Sequence, residues 1–302
     1  MTAVVALGGN ALMRPGERGT AAEQRANLRE VAAALRPLLA ERELVVTHGN
    51  GPQVGNELIR QERAAEEAPP LPLYLAVAQT QAEIGALIES ELSPVASRPV
   101  VCLLTHVLVA EDDPAFDEPT KPVGPFYGEE QARRLESERG WQVVHDAGRG
   151  WRRVVPSPVP LEVVELDAIR SLLASGTIVV ACGGGGIPAT LRGEHLAGID
   201  AVIDKDRASS LLARALGADR FVILTEVPAV YSNFGTDAQE ELRELSTEQA
   251  EALAPELAAG SMRPKLEASV DFVRATGHDA LITSPAALGD ALAGRTGTRI
   301  TP

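Results

Sequence analysis

Lysine is scarce in this chain. Of its 28 basic side chains only Lys121, Lys205 and Lys265 are lysine, and the other 25 are arginine. Each of the three has an unusual setting: Lys121 in a proline-rich loop (Thr120-Lys121-Pro122), Lys205 between two carboxylates (Asp204-Lys205-Asp206), and Lys265 at a helix start (Arg263-Pro264-Lys265). Lysine carries a compact ammonium on a flexible stem and arginine a planar fork, so the two exchange poorly where one point charge must follow a moving phosphoryl group. Three such lysines point to phosphoryl transfer. The competing account is that an arginine-biased composition left three survivors by chance.

Glycine clusters bear on that choice. Gly8-Gly9-Asn10, His48-Gly49-Asn50-Gly51 and Gly183 to Gly186 each follow a strand-like run directly. In an open parallel sheet the carboxyl ends of the strands form the ligand crevice, where glycine lets backbone amides approach a phosphate and a helix N-terminus faces it. One Gly-Gly alone reads equally as a tight turn, whereas three at strand ends point to a single anion-binding cleft. There is no G-x-x-x-x-G-K-[ST], and the Gly183 run lacks the opening and the ribose-binding acid of a dinucleotide site.

Such groups need rigid placement. Strand-like runs at 3–7, 44–47, 99–104, 177–182, 220–225 and 280–283 alternate with helical patterns at 21–42, 74–92, 165–175, 206–217, 246–258 and 264–276. The alternation predicts an α/β fold with parallel βαβ units and a sheet covered on both faces. Residues 111–160 break the rhythm with many prolines and a short helical piece near 129–140, and read as an inserted subdomain; Glu62 to Pro72 reads as a polar loop.

With 45% apolar residues the chain can bury a large core, yet it has no apolar run long enough to span a bilayer. The first residues lack the pattern of a signal peptide, so a cytoplasmic location is expected. Cys102 and Cys182 lie in apolar runs and are expected to be buried thiols, without metal spacing or a disulfide framework. A net charge of −14 argues against a nucleic-acid surface, so an anionic substrate must be met locally.

Seven segments carry a resemblance across the chain: ALGGNAL (6–12), THGNGPQVGN (47–56), EPTKPVGPFY (118–127), DAGRGWRRVVPSP (146–158), CGGGGIP (182–188), AVIDKDRAS (201–209) and GSMRPKLEA (260–268). They resemble, in order, those of carbamate kinase within the amino acid kinase superfamily, and EPTKPVGPFY and DAGRGWRRVVPSP resemble its protruding subdomain. The resemblance implies a three-layer αβα sandwich around a mostly parallel sheet of about eight strands. It also implies a carbamoyl-phosphate lobe over about 1–175, a nucleotide lobe over about 176–302, residues 111–160 as a lid, and a homodimer. The implied reaction interconverts carbamoyl phosphate plus ADP with carbamate plus ATP, using Mg²⁺, in arginine or agmatine catabolism. Two alternatives stand beside it: another small-molecule kinase of the superfamily, and a catalytically silent binding paralogue.

By position, the resemblance assigns Lys121 to the carbamoyl phosphate, Lys205 to the transferring phosphoryl group, Lys265 to the nucleotide phosphates, and Asp206 to orienting the lysines. Asp206 also reads as the N-cap of the following helix. Gly8, Gly9, Asn10, Gly49, Asn50 and Gly51 are expected to hold the substrate, and Gly184, Gly185, Thr225, Tyr231, Met262 and Lys265 the nucleotide. His48 reads either as a base or as a structural hydrogen-bond donor, and Arg149, Arg152 and Arg153 either as phosphate clamps or as braces pairing with the subdomain's acids, around Trp151 as its core. The chain departs from the family at Pro228, where a polar residue is expected, and at Ala86, where an aromatic is.

No His/Cys cluster is present and the acids near the glycine loops are scattered, so Mg²⁺ is expected on nucleotide phosphates and water, with no protein metal site. Calorimetry with Mg²⁺ alone should show no tight binding; a micromolar site would contradict this reading.

Overall fold

Alternate residues of the first strand feed two different cores. In the computed structural model, which describes residues 1–14, 16–146, 150–257 and 260–302, Val4 and Ala6 join one apolar cluster while Ala3, Val5 and Leu7 join another. A strand buried on both faces needs a helical layer on each side. Leu166–Ala174, Lys205–Leu216, Thr247–Leu253 and Met262–Thr276 cover the first face; Ala21–Ala34, Leu73–Leu92 and Leu288–Leu292 cover the second.

The central sheet has eight strands: β1 (Thr2–Leu7), β2 (Glu43–His48), β3 (Val100–Cys102), β4 (Ile178–Val180), β5 (Arg220–Leu224), β6 (Glu244–Ser246), β7 (Ala280–Thr283) and β8 (Thr298–Thr301). Their order across the sheet is β6-β8-β7-β5-β1-β2-β4-β3, and every pair is parallel except β7 with β8. This is the expected three-layer sandwich. All six strands read from the sequence lie side by side in it. The two that were not read, β6 and β8, are a polar edge strand (ELS) and a short TRIT run, too brief to show alternation.

Local chemistry fixes several helix ends. Thr20 caps Ala21–Ala34 by accepting the Glu23 N–H at 3.3 Å while the Glu23 carboxylate accepts the Thr20 N–H at 2.8 Å, a reciprocal capping box. Ser246 and Gln249 do the same for Thr247–Leu253.

Three expectations are corrected. A helix, Gly51–Ala64, stands where no element was read between the second glycine loop and residue 62, and it carries Glu62 to Ala64 out of the proposed 62–72 loop. Pro52 is tolerated in the first turn, where its missing N–H would have no helical partner. Gly55 allows close approach, since a Cβ there would sit 3.4 Å from the Gly124 Cα. Lys121 opens a strand, Lys121–Tyr127, and is not in a loop. That strand is an edge of the antiparallel three-stranded sheet Lys121–Tyr127, Gly150–Val155, Gln142–Asp146, where prolines cost the ladder little. Cys102 is half-buried, while Cys182 is buried but lies beyond its strand.

The three-stranded sheet and the helix Glu129–Arg139 enclose a small core of their own, Tyr127, Ala132 and Leu135, with Trp141, Val143 and Trp151 against it. A second sheet, His195–Gly198, Ile187–Arg192, His106–Leu108 and Glu162–Val163, lies beside the main one. No described helix is long and apolar enough to cross a membrane.

Candidate active site

The loops carrying the candidate residues leave the parallel strands at one end. Gly8 and Gly9 follow β1, Gly49 to Gly51 follow β2, Cys182 to Gly186 follow β4, and Thr225 follows β5. Into this ring project the first turns of Lys205–Leu216 and Met262–Thr276.

Two aspartates hold the three lysines. Asp206 is buried, and its carboxylate accepts from the Lys205 ammonium through one oxygen and from the Lys265 ammonium at 3.2 Å through the other. Asp204 accepts from the Lys121 ammonium at 2.8 Å. Asp204 is also the helix cap, accepting the N–H groups of Asp206 at 2.9 Å and Arg207 at 3.3 Å. This corrects the capping role given to Asp206: the helix starts one residue earlier, which leaves Asp206 in its first turn with its side chain turned to the lysines. Asp204 was missed because both aspartates flank Lys205, and only the exact start of the helix separates cap from partner.

The charges are unequal. One carboxylate between Lys205 and Lys265 leaves a local excess of one positive charge, in a chain of net charge −14. Burial, only partly countered by Asp206, holds the Lys205 ammonium below its ordinary value. For Asp204, burial works against ionisation, yet Lys121, Lys205 and an accepted backbone N–H hold its carboxyl well below the usual range.

The glycine loops press against these groups. A Cβ on Gly49 would lie 3.3 Å from the Lys205 Cδ and 3.8 Å from the Gly9 nitrogen. Among the described residues, the N–H groups of Gly9, Asn50, Gly51, Gly183 and Gly184 have no protein acceptor. Asn50, Gly183 and Gly184 are buried, where backbone donors seldom stay unpaired, while Gly9 is half-buried and Gly51 exposed; all five N–H groups are available to an anion. The backbone of Asn10 belongs to the short 3-10 turn Gly9–Ala11. Cys182 adopts φ 49°, rare for a residue with a Cβ, and the turn after it folds onto the second loop. A Cβ on Gly183 would come within 2.2 Å of the His48 Nε2, and one on Gly184 within 2.1 Å of the Asn50 Nδ2.

Gly184 and Gly185 thus sit against Asn50 and Ile203. The large cleft is elsewhere: about 700 Å³, bordered by Gly8, Gly9, Thr225, Ser261, Lys265 and Ser284. Of the residues expected to hold nucleotide, Thr225 and Lys265 border it and Gly184, Gly185, Tyr231 and Met262 do not. Tyr231 stacks obliquely near Phe234, ring centroids 6.1 Å apart, and Met262 packs against the core. Ser261 and Ser284 were not anticipated; short hydroxyl residues in loops carry no distinguishing signal in sequence.

His48 is fully buried and its Nδ1 lies 3.0 Å from the Gly49 carbonyl. A carbonyl can only accept, so Nδ1 carries the proton; burial lowers the ring's pKa to about 4 and keeps it neutral. That arrangement fits a structural donor. Arg152 donates to the Gly124 carbonyl at 3.2 Å and lies 5.0 Å over Phe126, and Arg153 lies 4.6 Å over Trp141. Trp151 is half-buried on the small core, with Arg133 4.5 Å over its ring. Arg149 lies outside the described residues. Burial pushes the Cys102 and Cys182 thiols up to about 11 and about 12, so neither supplies a thiolate near neutrality.

Unpaired amides beside a nearly buried lysine pair define a site fitted to a phosphate-sized anion on an α/β sandwich. The chain belongs to the amino acid kinase family, whose family model matches residues 1–284. Within that family it falls among the carbamate kinases. It is 46% identical to the carbamate kinase of Halobacterium salinarum, covering 99% of this chain and 98% of that protein, and 43% identical to that of Pyrococcus furiosus with the same coverage. The solved carbamate kinase of Giardia lamblia bound to AMP-PNP superposes with a TM-score of 0.92 at 40% identity, covering 99% of this chain and 98% of that one.

The depressed Asp204 carboxyl has a consequence for stability. A folded value below the ordinary 3.8 adds stability that is complete above the unfolded value and lost as pH falls through the folded one. Lys121→Met should therefore cost stability at neutral pH, and the gap from the parent should narrow as urea melts are repeated at pH 7, 4 and 2.5. A gap constant with pH would remove the Lys121–Asp204 pair from the acid response.

Proposed function

We propose that the site moves a phosphoryl group reversibly between carbamoyl phosphate and ADP. The observation that carries this reading is the buried Asp206 carboxylate bridging Lys205 and Lys265 beside glycine loops with unpaired N–H groups. In the ATP-forming direction, a terminal oxygen of ADP attacks the phosphorus, a new P–O bond forms, the bond to the carbamoyl oxygen breaks, and carbamate leaves as an anion. No proton needs to move, which agrees with the neutral, enclosed His48. The loose transition state spreads charge over the transferred oxygens, and preorganised donors stabilise it.

In this reading Lys205 is the cation at the transferred group, and Lys265, at the cleft wall with Gly8 and Gly9, holds the nucleotide phosphates. Lys121 reaches the carbamoyl phosphate from the edge of the three-stranded sheet, exchanging Asp204 for substrate, and residues 111–160 form the lid that carries it. Asn10, Gly49, Asn50 and Gly51, with Gly183 and Gly184, surround the carbamoyl end. Thr225 and Ser261 flank the nucleotide, which leaves Tyr231 and Met262 for a nucleotide reaching beyond the cleft.

Mg²⁺ enters with the nucleotide. Among the described residues no three His, Cys, Asp or Glu side chains converge, and both Asp206 oxygens are occupied by lysines. The ion would therefore rest on phosphate oxygens and water, neutralising charge there. The reading also includes a homodimer through the helix Leu73–Leu92. Its exposed stripe is Gln79, Ala82, Glu83, Ala86 and Ser90, in which Ala82, Ala86 and Ser90 are small enough for close approach. Analytical ultracentrifugation tests it: sedimentation as a monomer at micromolar concentration would rule this interface out.

The chemical test uses carbamoyl phosphate, ADP and Mg²⁺ and follows ATP. Lys205→Arg should lower turnover by on the order of 10²–10³, as expected for the loss of one preorganised donor. Its longer fork has little room where the Lys205 stem passes Gly49, although it keeps a donor for Asp206, so melting should change little. Retention of more than about a tenth of parental turnover would defeat the point-charge role.

A further inference from the structure

Two adjacent buried polar side chains of the helix Leu73–Leu92, Thr80 and Gln81, have no part in the proposed reaction. Gln81 is 1% exposed and fully hydrogen-bonded. Its Oε1 accepts the Thr105 N–H at 2.6 Å and the Thr105 hydroxyl at 3.2 Å. Its Nε2 donates to the Gly183 carbonyl at 3.0 Å and the Thr105 carbonyl at 3.3 Å. The Thr105 oxygen in turn accepts the Cys182 N–H at 2.6 Å. One residue earlier, the Thr80 hydroxyl accepts from the Asn50 Nδ2 at 3.0 Å. A single helical turn is thus tied to two of the glycine loops.

The contacts converge on a segment that would not hold its shape unaided. Cys182 is in the left-handed region at φ 49° and Gly184 follows at φ 66°. A side chain in that region persists only where its surroundings over-determine it. Here the Cys182 N–H is held by Thr105 and the Gly183 carbonyl by Gln81, one on each side of the bend. With these two groups engaged, the N–H groups of Gly183 and Gly184 are left without a protein acceptor.

We propose that Gln81 is a positioning residue for phosphoryl transfer: together with Thr105 it fixes the Cys182–Gly184 turn so that two backbone N–H groups stay aimed at the anionic acyl phosphate. This rests on the reaction proposed above. A polar side chain serving packing alone would move stability and every kinetic constant together. A strut for the acyl-phosphate loop moves that substrate and spares ADP.

The test compares Gln81→Met, Gln81→Glu, Thr105→Val and Thr105→Ser with the parent in the ATP-forming assay, with ADP affinity measured by calorimetry. The parent's own rate reports on the reaction, and each variant's ratio to the parent reports on Gln81. In Gln81→Met, kcat/KM for carbamoyl phosphate should fall by about 10², the scale of an ångström-sized misplacement, with the ADP Kd unchanged within about twofold. In Gln81→Glu the carboxylate would face two carbonyls, which favours its protonated form. The acid regains one donor, so activity relative to parent should rise about tenfold as pH drops from 8.5 to 6. If Gln81→Met does not fold, the threonine pair decides: serine keeps the acceptor for the Cys182 N–H and should retain most activity, whereas valine should lose about tenfold or more. A pH-independent Gln81→Glu ratio, equal losses in ADP and carbamoyl phosphate, or equal behaviour of serine and valine would overturn the proposal.

Discussion

Everything at this site depends on one carboxylate serving two cations. Two nearly buried ammoniums would repel each other and lose most of their water, and Asp206 offsets both penalties at once. The arrangement requires the helices Lys205–Leu216 and Met262–Thr276 to meet at their first turns. They do so because Ala208, Leu212, Leu266, Val270 and Val273 share one core beneath the sheet. Packing thus sets the lysine spacing, and the lysine spacing sets where negative charge is welcome. The sign of the site is therefore opposite to that of the chain as a whole.

The glycine loops complete the site by subtraction. Where Gly183 and Gly184 approach His48 and Asn50, a methyl group would overlap its neighbour, and the backbone itself becomes the functional surface. Backbone amides suit a phosphoryl site because they donate at fixed angles and stay neutral at any working pH. The same crowding gives His48 its role: a neutral ring wedged between two loops, holding one by its carbonyl and supporting the other by contact.

The sheet was legible in the sequence because its inner strands are continuous apolar runs, such as Val4 to Leu7 or Ile178 to Val180, which no amphipathic helix imitates. The edge was not: β6 has only Leu245 to bury among polar neighbours. Gly51–Ala64 was hidden by residues that usually end helices and here start one. For the site, residue type identified the lysines and loops, since lysine is rare in this chain and glycine runs are conspicuous. What stayed out of reach were relations across distance. Gln81 meets Thr105 across 24 positions and Gly183 across 102, and buried amide side chains on a helix carry no mark of their partners. The capping assignment failed for a smaller reason, a cap displaced by two residues between two chemically identical candidates, Asp206 and Asp204.

The strand order has a consequence for how the molecule is made. β1, which precedes every other strand of the sheet in the chain, ends at its middle, between β2 and β5. Its Thr2 N–H is held by the Asp219 carboxylate, 217 positions later. During synthesis the early strands can pair with one another, but one edge of β1 stays open until β5, Arg220–Leu224 of 302 residues, has appeared. Long-range parallel pairing of this kind is slow, and an unpaired edge is sticky while it waits. Nascent chains of this topology are thus most exposed to chaperone capture before β5 is released, and the first glycine loop gains a rigid base only after that strand has docked.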